Sequence, residues 1–360
     1  MDPPLEVAHN WRQTLGAMIA RNFLETDNNI LYPRIDITGE KTGITGFIKE
    51  LIPKRKLATE EEIGRAVEMA ENEMIENGIV AVGDISNGNI TFSQKRKGKM
   101  LYHTFIEVFD LNSDNPQEVF LNALNLKSQI SNLKSSIVPH APYSVSSKLL
   151  ELISEEAAKS KNIVSIHNQE SDGERELFVS RSGPIFDLYS KMGMNMEKIE
   201  RTGQNSLRST LSKLSGAEKL LLVHNTYTSQ EDIQWAKSND PGLKTKNLFW
   251  CTCPNANIFI ENKLPNYNHF IKENAKLTIG TDSLASNWSL SVLAELKTIQ
   301  THFPDISLEK LLRWATKNGS EFLGFDQLGT IEKGKRPGLN LLTNIANMQL
   351  TEKTEVQKLI

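Results

Sequence analysis

Polar side chains that can bind metal or move protons stand at the ends of five apolar, strand-like segments. His140, His167 and His224 end the segments SIVPH, IVSIH and LLLVH. Asp84 and Asp282 end the segments IVAVGD and KLTIGTD. One such histidine alone is more often a core residue, but five polar groups in matching positions predict one shared site. Imidazole nitrogens and carboxylate oxygens suit Zn²⁺ or Fe²⁺, so one divalent metal is expected there.

The chemistry of such a site follows from its residue types. A bound metal lowers the pKa of its water to about 7 and makes hydroxide available near neutral pH. Glu170 lies three residues beyond His167 and reaches the site if the loop turns back toward it. A carboxylate near the water can take its proton and pass it to a leaving group. We therefore expect His167 to be a metal ligand with Glu170 as its acid/base partner, and Asp282 can bind metal and contact the water.

The elements that position these residues alternate between apolar strands and amphipathic helices. Seven strands are predicted after residue 79, and such runs indicate a parallel sheet covered on both faces. A (β/α)8 barrel of the TIM type needs one more strand, for which residues 28–40 are the candidate. An open doubly wound sheet is the alternative, although no glycine-rich phosphate motif follows any strand. In a barrel, the carboxyl ends of the strands form the active-site face. The strands are predicted at 79–86, 101–109, 136–144, 163–170, 219–227, 247–255 and 276–286.

Composition limits the partners. The chain has 360 residues, 39% of them hydrophobic and 24% charged, and a net charge of −3. This balance argues against nucleic acid or an anionic membrane as the main partner. The sequence has no apolar run of ~18 residues, the length that a membrane span needs. No secretory signal is recognised, so a cytoplasmic protein is expected. Cys251 and Cys253 should point to opposite faces of one strand, which disfavours a disulfide. Homo-oligomerisation stays open.

Five motifs together carry a family resemblance. VPHAPYSVS, IHNQE, LVHNTY, CPNAN and GTDSLAS occur in this order. They resemble the amidohydrolase superfamily, and most closely its chlorohydrolases and nucleoside or nucleobase deaminases. The resemblance implies a metal-dependent barrel over residues 38–327 and a remnant of a small β-sandwich over residues 328–360. It also implies hydrolysis of a C–N or C–Cl bond in a heterocyclic or nucleoside-like small molecule, with deamination as the expected reaction.

The resemblance also implies roles for individual residues. His167 would bind the metal, and Glu170 would be the proton shuttle that helps to protonate the leaving amine. Asp282 would be both metal ligand and general base. His224 would orient the water or polarise the scissile carbon, and in some relatives this position also binds metal. His140 would contact the substrate, together with Glu170 and His224.

Four further residues are weaker candidates. Asn255 and Asn257 in CPNAN would shape a loop of the site, but turn-forming asparagines explain them equally well. His103 and Glu107 lie four residues apart on one predicted strand and therefore on one face. They could face the barrel interior, although a role in catalysis is the less favoured interpretation.

The N-terminal part departs from the family pattern. The family begins its barrel with a strand that ends in His-x-His, and both histidines bind metal, but this sequence contains no His-x-His. Residues 1–37 do not resemble the family and are interpreted as a foreign segment. Two protein ligands in place of four should bind metal weakly. The alternative function is therefore an inactive or non-catalytic barrel that binds a small molecule. A third interpretation keeps catalysis and recruits His224 as a metal ligand beside His167 and Asp282.

Overall fold

A computed structural model describes residues 43–54, 59–111, 113–239 and 247–360. The first seven strands within these ranges lie in parallel sheets, and they confirm all seven strands predicted after residue 79. The segment 1–37 and the candidate first strand at 28–40 lie outside the described residues. The strands are β1 (Ala81–Ser86), β2 (Leu101–Val108), β3 (Lys134–Pro139), β4 (Val164–Asn168), β5 (Leu220–His224), β6 (Leu248–Thr252), β7 (Lys276–Ile279), β8 (Asn340–Thr343) and β9 (Glu355–Lys358).

Consecutive strands are neighbours, as in a TIM-type barrel. Hydrogen-bonded ladders run in the order β1-β2-β3 and in the order β4-β5-β6-β7. A backbone hydrogen bond from His167 N to His140 O, 3.0 Å long, connects the end of β4 to the residue after β3. The carboxyl ends of the strands therefore meet on one face, which is where the predicted polar residues stand.

Helices connect the strands, and polar side chains cap many of their first turns. Thr59 and Glu62 form a reciprocal capping box at α2, and Ser146 caps α5. These side chains accept hydrogen bonds from N–H groups that have no partner inside the helix. The helices are α1 (Gly43–Lys54), α2 (Glu60–Glu76), α3 (Phe92–Arg96), α4 (Pro116–Ser128), α5 (Ser147–Ser160), α6 (Asp172–Ser180), α7 (Pro184–Lys191), α8 (Ser206–Thr210), α9 (Gln230–Ser238), α10 (Pro254–Glu261), α11 (Tyr267–Lys272), α12 (Val292–His302), α13 (Leu308–Arg313) and α14 (Gly319–Leu323).

The main core lies between the strands and these helices. Trp250 and Trp314 are buried in it, whereas Trp288 is 53% exposed. A second apolar cluster packs α6 and α7 beyond the carboxyl ends of the strands, and it includes Tyr143 and Tyr189. This second layer lies beside the loop that follows β4.

The C-terminal part forms an antiparallel pair, β8 and β9, in register from Asn340 opposite Lys358. Asn340 Nδ2 donates to Gly78 O over 2.9 Å and so joins this pair to the turn before β1. Gly78 has φ +76°, and a Cβ there would lie 2.6 Å from Asn340 Nδ2. Gly78, two residues after α2, therefore combines a left-handed φ with a close contact, a combination that suits glycine. None of the described helices is long and apolar enough to cross a membrane.

Candidate active site

The structure brings three of the predicted site residues together at the carboxyl ends of β4 and β5. One potential ligand atom from each of His167, Glu170 and His224 lies within 4.8 Å of those of the other two. The imidazole rings of His167 and His224 are stacked, with centroids 5.3 Å apart. Nε2 of His224 lies 3.4 Å from Oε2 of Glu170. His224 and Glu170 are 3% and 7% exposed, so the cluster is largely shielded from water.

Hydrogen bonds select the ring nitrogen that each histidine presents to the site. Nδ1 of His167 lies 2.5 Å from the backbone oxygen of His140, and Nδ1 of His224 lies 2.9 Å from Oδ1 of Asn257. Since both oxygens only accept, both Nδ1 atoms carry the proton and both Nε2 atoms keep a lone pair. Metal-binding histidines in proteins show this arrangement.

The pair Glu170 and His224 fits a bound cation or a shared proton. A carboxylate oxygen and an unprotonated Nε2 are both acceptors, and at 3.4 Å they repel each other unless a positive charge lies between them. Two imidazole nitrogens and a carboxylate oxygen are also the donor set that Zn²⁺ prefers. The chemistry of these donors is therefore compatible with one divalent metal.

The loop after β4 directs Glu170 back toward the strands. Tyr143, which is fully buried, donates its hydroxyl proton to Oε1 of Glu170. Burial, the charge of Glu170 and this hydrogen bond raise the pKa of Tyr143, so its phenol remains a donor. Glu174 on α6 accepts the backbone N–H groups of Gln169 and Glu170 at 3.0 and 3.1 Å. The predicted turn of this loop into the site is thus held by two side chains that the sequence motifs did not single out.

Left-handed backbone conformations collect at this face. Gln169, His224, Asn225 and Asp282 have φ values of +45°, +73°, +59° and +56°. Each costs a residue other than glycine roughly 1–3 kcal/mol and persists only where its surroundings enforce it. The side chain of Asn225 supplies part of this enforcement, because it donates to Leu222 O and Cys251 O, both at 2.8 Å. Strained backbone of this kind is typical of functional sites.

His140 lies beside His167 and belongs to a second group of potential ligands. Its ring centroid is 4.8 Å from that of His167. Its Nδ1 lies 2.7 Å from Oγ of Ser144, which itself donates to Ala141 O. Nδ1 of His140 is therefore a donor as well. His140, His167 and Glu107 each place one ligand atom within 4.8 Å of the others, so the predicted substrate residue is adjacent to the predicted metal residue.

The two residues noted on β2 lie in different surroundings. Glu107 is buried, its Oε1 lies 3.9 Å from Nδ1 of His167, and Asn87 donates to its Oε2 over 3.0 Å. His103 instead lies 2.7 Å from Oγ of Ser136 inside the core. Burial and two lysine charges lower the pKa of His103 to about 3. The sequence placed His103 and Glu107 on the same face of β2 but could not tell which of them reaches the site. The structure shows that Glu107 lies beside His167, whereas His103 lies beside Ser136.

Asp282 lies three residues beyond the end of β7, and its carboxylate has local partners. The residue is exposed, and its oxygens accept hydrogen bonds from Ser283 N at 2.7 Å and from Ser286 Oγ at 2.9 Å. Among the described residues it belongs to neither group of potential metal ligands. Its role as ligand and general base therefore stays a prediction.

Asp84 does not join the cluster of histidines. Its carboxylate pairs with Nζ of Lys95 at 2.5 Å and accepts a hydrogen bond from Ser86. Lys95 lies on α3, and only 2% of its side chain is exposed. Asp84 thus contributes to the packing of α3 on β1, and the expected convergence of all five strand-end residues is not observed.

The two asparagines of CPNAN have different hydrogen-bond partners. Asn257 contacts His224 directly, because its Oδ1 lies 2.9 Å from Nδ1 of that ring. Asn255 connects α10 to α12, because its N–H donates to Glu295 over 2.8 Å and its Oδ1 accepts from Thr298 over 2.6 Å. Asn257 is therefore a neighbour of the reactive groups, whereas Asn255 joins two helices.

Comparison with known proteins gives a consistent result. The sequence model of the amidohydrolase family matches residues 50–360. An adenosine deaminase of Helicobacter pylori is 28% identical over 287 residues, which cover 77% of this chain and 67% of the relative. An aminodeoxyfutalosine deaminase of Nitratiruptor is 27% identical over 303 residues, covering 80% and 71%. A 5-methylthioadenosine/S-adenosylhomocysteine deaminase of Bacillus cytotoxicus is 26% identical over 213 residues, covering 56% of this chain but only 42% of that protein.

Solved structures show the same fold. The aminofutalosine deaminase of Helicobacter pylori matches with a TM-score of 0.68 and 24% identity, covering 79% of this chain and 71% of that one. The zinc complex of the atrazine chlorohydrolase of Arthrobacter aurescens matches with a TM-score of 0.63 and 14% identity, covering 82% and 68%. At these identities the likeness concerns the arrangement of strands and helices.

Proposed function

From the premise that this chain belongs to the amidohydrolase family, we propose that it is a metal-dependent hydrolase of a C–N or C–Cl bond in a heterocyclic or nucleoside-like small molecule. The specific reaction we propose is the hydrolytic release of ammonia. Three relatives named for deamination of adenosine-type compounds support this choice. The observation that carries the proposal is the convergence of His167, Glu170 and His224 at the ends of β4 and β5.

We propose that Nε2 of His167 and Nε2 of His224 hold one divalent metal, with Asp282 as a further ligand. Zinc is named in three of the matching structures, and Fe²⁺ suits the same donors. When bound, such an ion lowers the pKa of a water to about 7. The backbone oxygen of His140 and Oδ1 of Asn257 fix the two rings in the orientation that this role requires.

Glu170 has the surroundings of a proton shuttle. Its Oε1 accepts a hydrogen bond from Tyr143, which leaves Oε2 facing Nε2 of His224 at 3.4 Å. In the proposed reaction, water adds to the ring carbon that carries the amino group. Glu170 and Asp282 move the protons of that water to the ring nitrogen and to the amine. The C–N bond then breaks, ammonia leaves, and a ring carbonyl remains.

His140 is proposed as a substrate contact. Its ring lies between Phe109 and Tyr143, with centroid distances of 6.2 and 5.9 Å. Its Nδ1 lies 2.7 Å from Oγ of Ser144, which fixes the orientation of the ring. A flat heterocycle next to His167 would meet both the imidazole edge and the carboxylate of Glu170.

The alternative function remains a barrel that binds a small molecule without catalysis, since the sequence has no His-x-His. Metal content distinguishes the two. We expect purified protein to carry close to one Zn or Fe per chain and to release ammonia from at least one of adenosine, 5-methylthioadenosine, S-adenosylhomocysteine and aminodeoxyfutalosine. Glu170→Gln should lower the rate of ammonia release about 10²–10⁴-fold, and Glu176→Gln on α6 is the matched control. Protein without metal or turnover would favour the binding barrel.

A further inference from the structure

We propose that Glu174 is a positioning residue, which sets the direction of Glu170 by holding the two successive backbone N–H groups at the turn after β4. The inference rests on the proposed function, because it assigns Glu174 to the same reaction through Glu170. Glu174 itself touches neither His167 nor His224 among the hydrogen bonds and ion pairs of the described residues.

Glu174 binds the backbone N–H groups of Gln169 and Glu170 with its two carboxylate oxygens, an arrangement that we call the clamp. Oε1 of Glu174 accepts from Gln169 N at 3.0 Å, and Oε2 accepts from Glu170 N at 3.1 Å. Gln169 has φ +45°. Successive N–H groups that point to one side form a concavity that binds an anion, and here the anion is a side chain of the same protein. Both oxygens of one carboxylate are thus used on two adjacent peptide groups.

The clamp is tied to a rigid element. Glu174 is completely buried in the first turn of α6, and its own N–H donates to the capping hydroxyl of Ser171 over 3.2 Å. The helix packs through Leu177 and Phe178 into the second apolar cluster. The packing of α6 therefore fixes the position of the turn after β4. Because Glu174 binds the backbone N–H of Glu170, it also fixes the position of Glu170.

A buried carboxylate is a costly way to satisfy two N–H groups. Burial and the nearby charge of Glu170 together raise the pKa of Glu174 to about 8, although the two backbone hydrogen bonds act in the opposite direction. An apolar side chain would avoid the cost of burying this polar group. The chain nevertheless has an acidic side chain here, and its two oxygens accept the two successive backbone N–H groups that lead to the proposed proton shuttle.

The first test compares Glu174→Gln with Glu176→Gln on the same helix. Glutamine keeps one acceptor and places an N–H₂ group against the other backbone N–H, so one arm of the clamp is lost. Misplacement of a catalytic group by about 1 Å costs about 10²-fold in rate. We expect kcat to fall about 10²-fold with KM changed less than about threefold, and we expect Glu176→Gln to match the wild type.

Two further readouts separate positioning from general stability. Hydrogen exchange in the segment 164–171 should be faster in Glu174→Gln, because its amides lose a partner. In a double-mutant cycle with Glu170→Gln, the second substitution should add little to the loss in kcat, because Glu174 acts through Glu170. Unchanged exchange, or additive losses in kcat, would overturn the proposal.

A second variant covers the case in which Glu174→Gln does not fold. Glu174→Asp keeps the charge and withdraws the oxygens by one methylene, so the same losses are expected, and full kcat in the folded variant would contradict the clamp. If the wild type releases no ammonia from any of the four compounds, the deaminase proposal fails on that result alone. In that case, hydrogen exchange at residues 164–171, compared between the wild type and Glu174→Gln, decides whether the clamp exists.

Discussion

Nε2 of His224 lies 3.4 Å from Oε2 of Glu170, while Nδ1 of the same ring is bound to Asn257. The ring thus offers one nitrogen to the protein and the other to the site. The partner of that second nitrogen is a carboxylate, which makes the pair a natural place for a cation or a transferable proton. This relationship connects the metal-binding and the proton-moving parts of the proposed mechanism.

Replacing His167 should remove the metal. His167→Asn deletes one of the two Nε2 donors, and binding by the remaining residues should be weak. We expect less than about a tenth of the wild-type metal content by mass spectrometry of the purified protein. His302→Asn, at an exposed position on α12, is the control and should retain the metal. Full metal content in His167→Asn would contradict the assignment.

Asn257 should matter for rate and Asn255 for stability. Asn257→Ala removes the acceptor that orients His224, and loss of such a partner usually costs 10–100-fold in metal affinity or activity. Asn255→Ala removes the bond to Thr298, which should cost about 1 kcal/mol of unfolding free energy with little change in kcat. Steady-state kinetics and thermal unfolding of both variants check this, and equal kinetic losses would refute the distinction.

Glu295 should make the fold less stable as the pH rises. Burial, with a smaller contribution from the charge of Asp282, raises the pKa of Glu295 from its ordinary 4.5 to about 8 in the folded protein. A group with a raised folded pKa gives its full stabilisation below pH ~4.5 and loses it as the pH rises through ~8. Glu295→Gln should flatten this part of the profile of unfolding free energy against pH. An unchanged slope would argue that Glu295 ionises normally.

His103 should make the fold less stable as the pH falls, which is opposite to the effect of Glu295. Its pKa is lowered from 6.5 to about 3, because burial disfavours the charged ring. A base with a depressed folded pKa stabilises the protein above pH ~6.5, and that contribution is lost as the pH falls toward ~3. His103→Gln should therefore lose stability less steeply between pH 6.5 and 4 than the wild type does. Denaturant unfolding at several pH values measures this, with exposed His302→Gln as the control.

Much of the fold could be predicted because its signals are local. A strand of a parallel sheet is buried on both faces, so each of the seven strands shows as a short continuous apolar run such as LLLVH before His224. The barrel order then follows, since consecutive βα units place neighbouring strands side by side. The convergence of His140, His167 and His224 follows in turn, because parallel strands end on one face.

The sequence by itself thus determined the strands, their order, the family motifs and the residues able to bind metal. Only the tertiary structure decided which atoms meet. Asp84 lies beside Lys95 rather than the histidines, and Asn257 lies 33 residues from the ring that it orients. The physical reason is that strand formation depends on neighbouring residues, whereas a hydrogen bond depends on the register of separate strands and on the rotation of each side chain. Glu174 shows the same limit, because its two short bonds exist only after α6 has packed against the barrel.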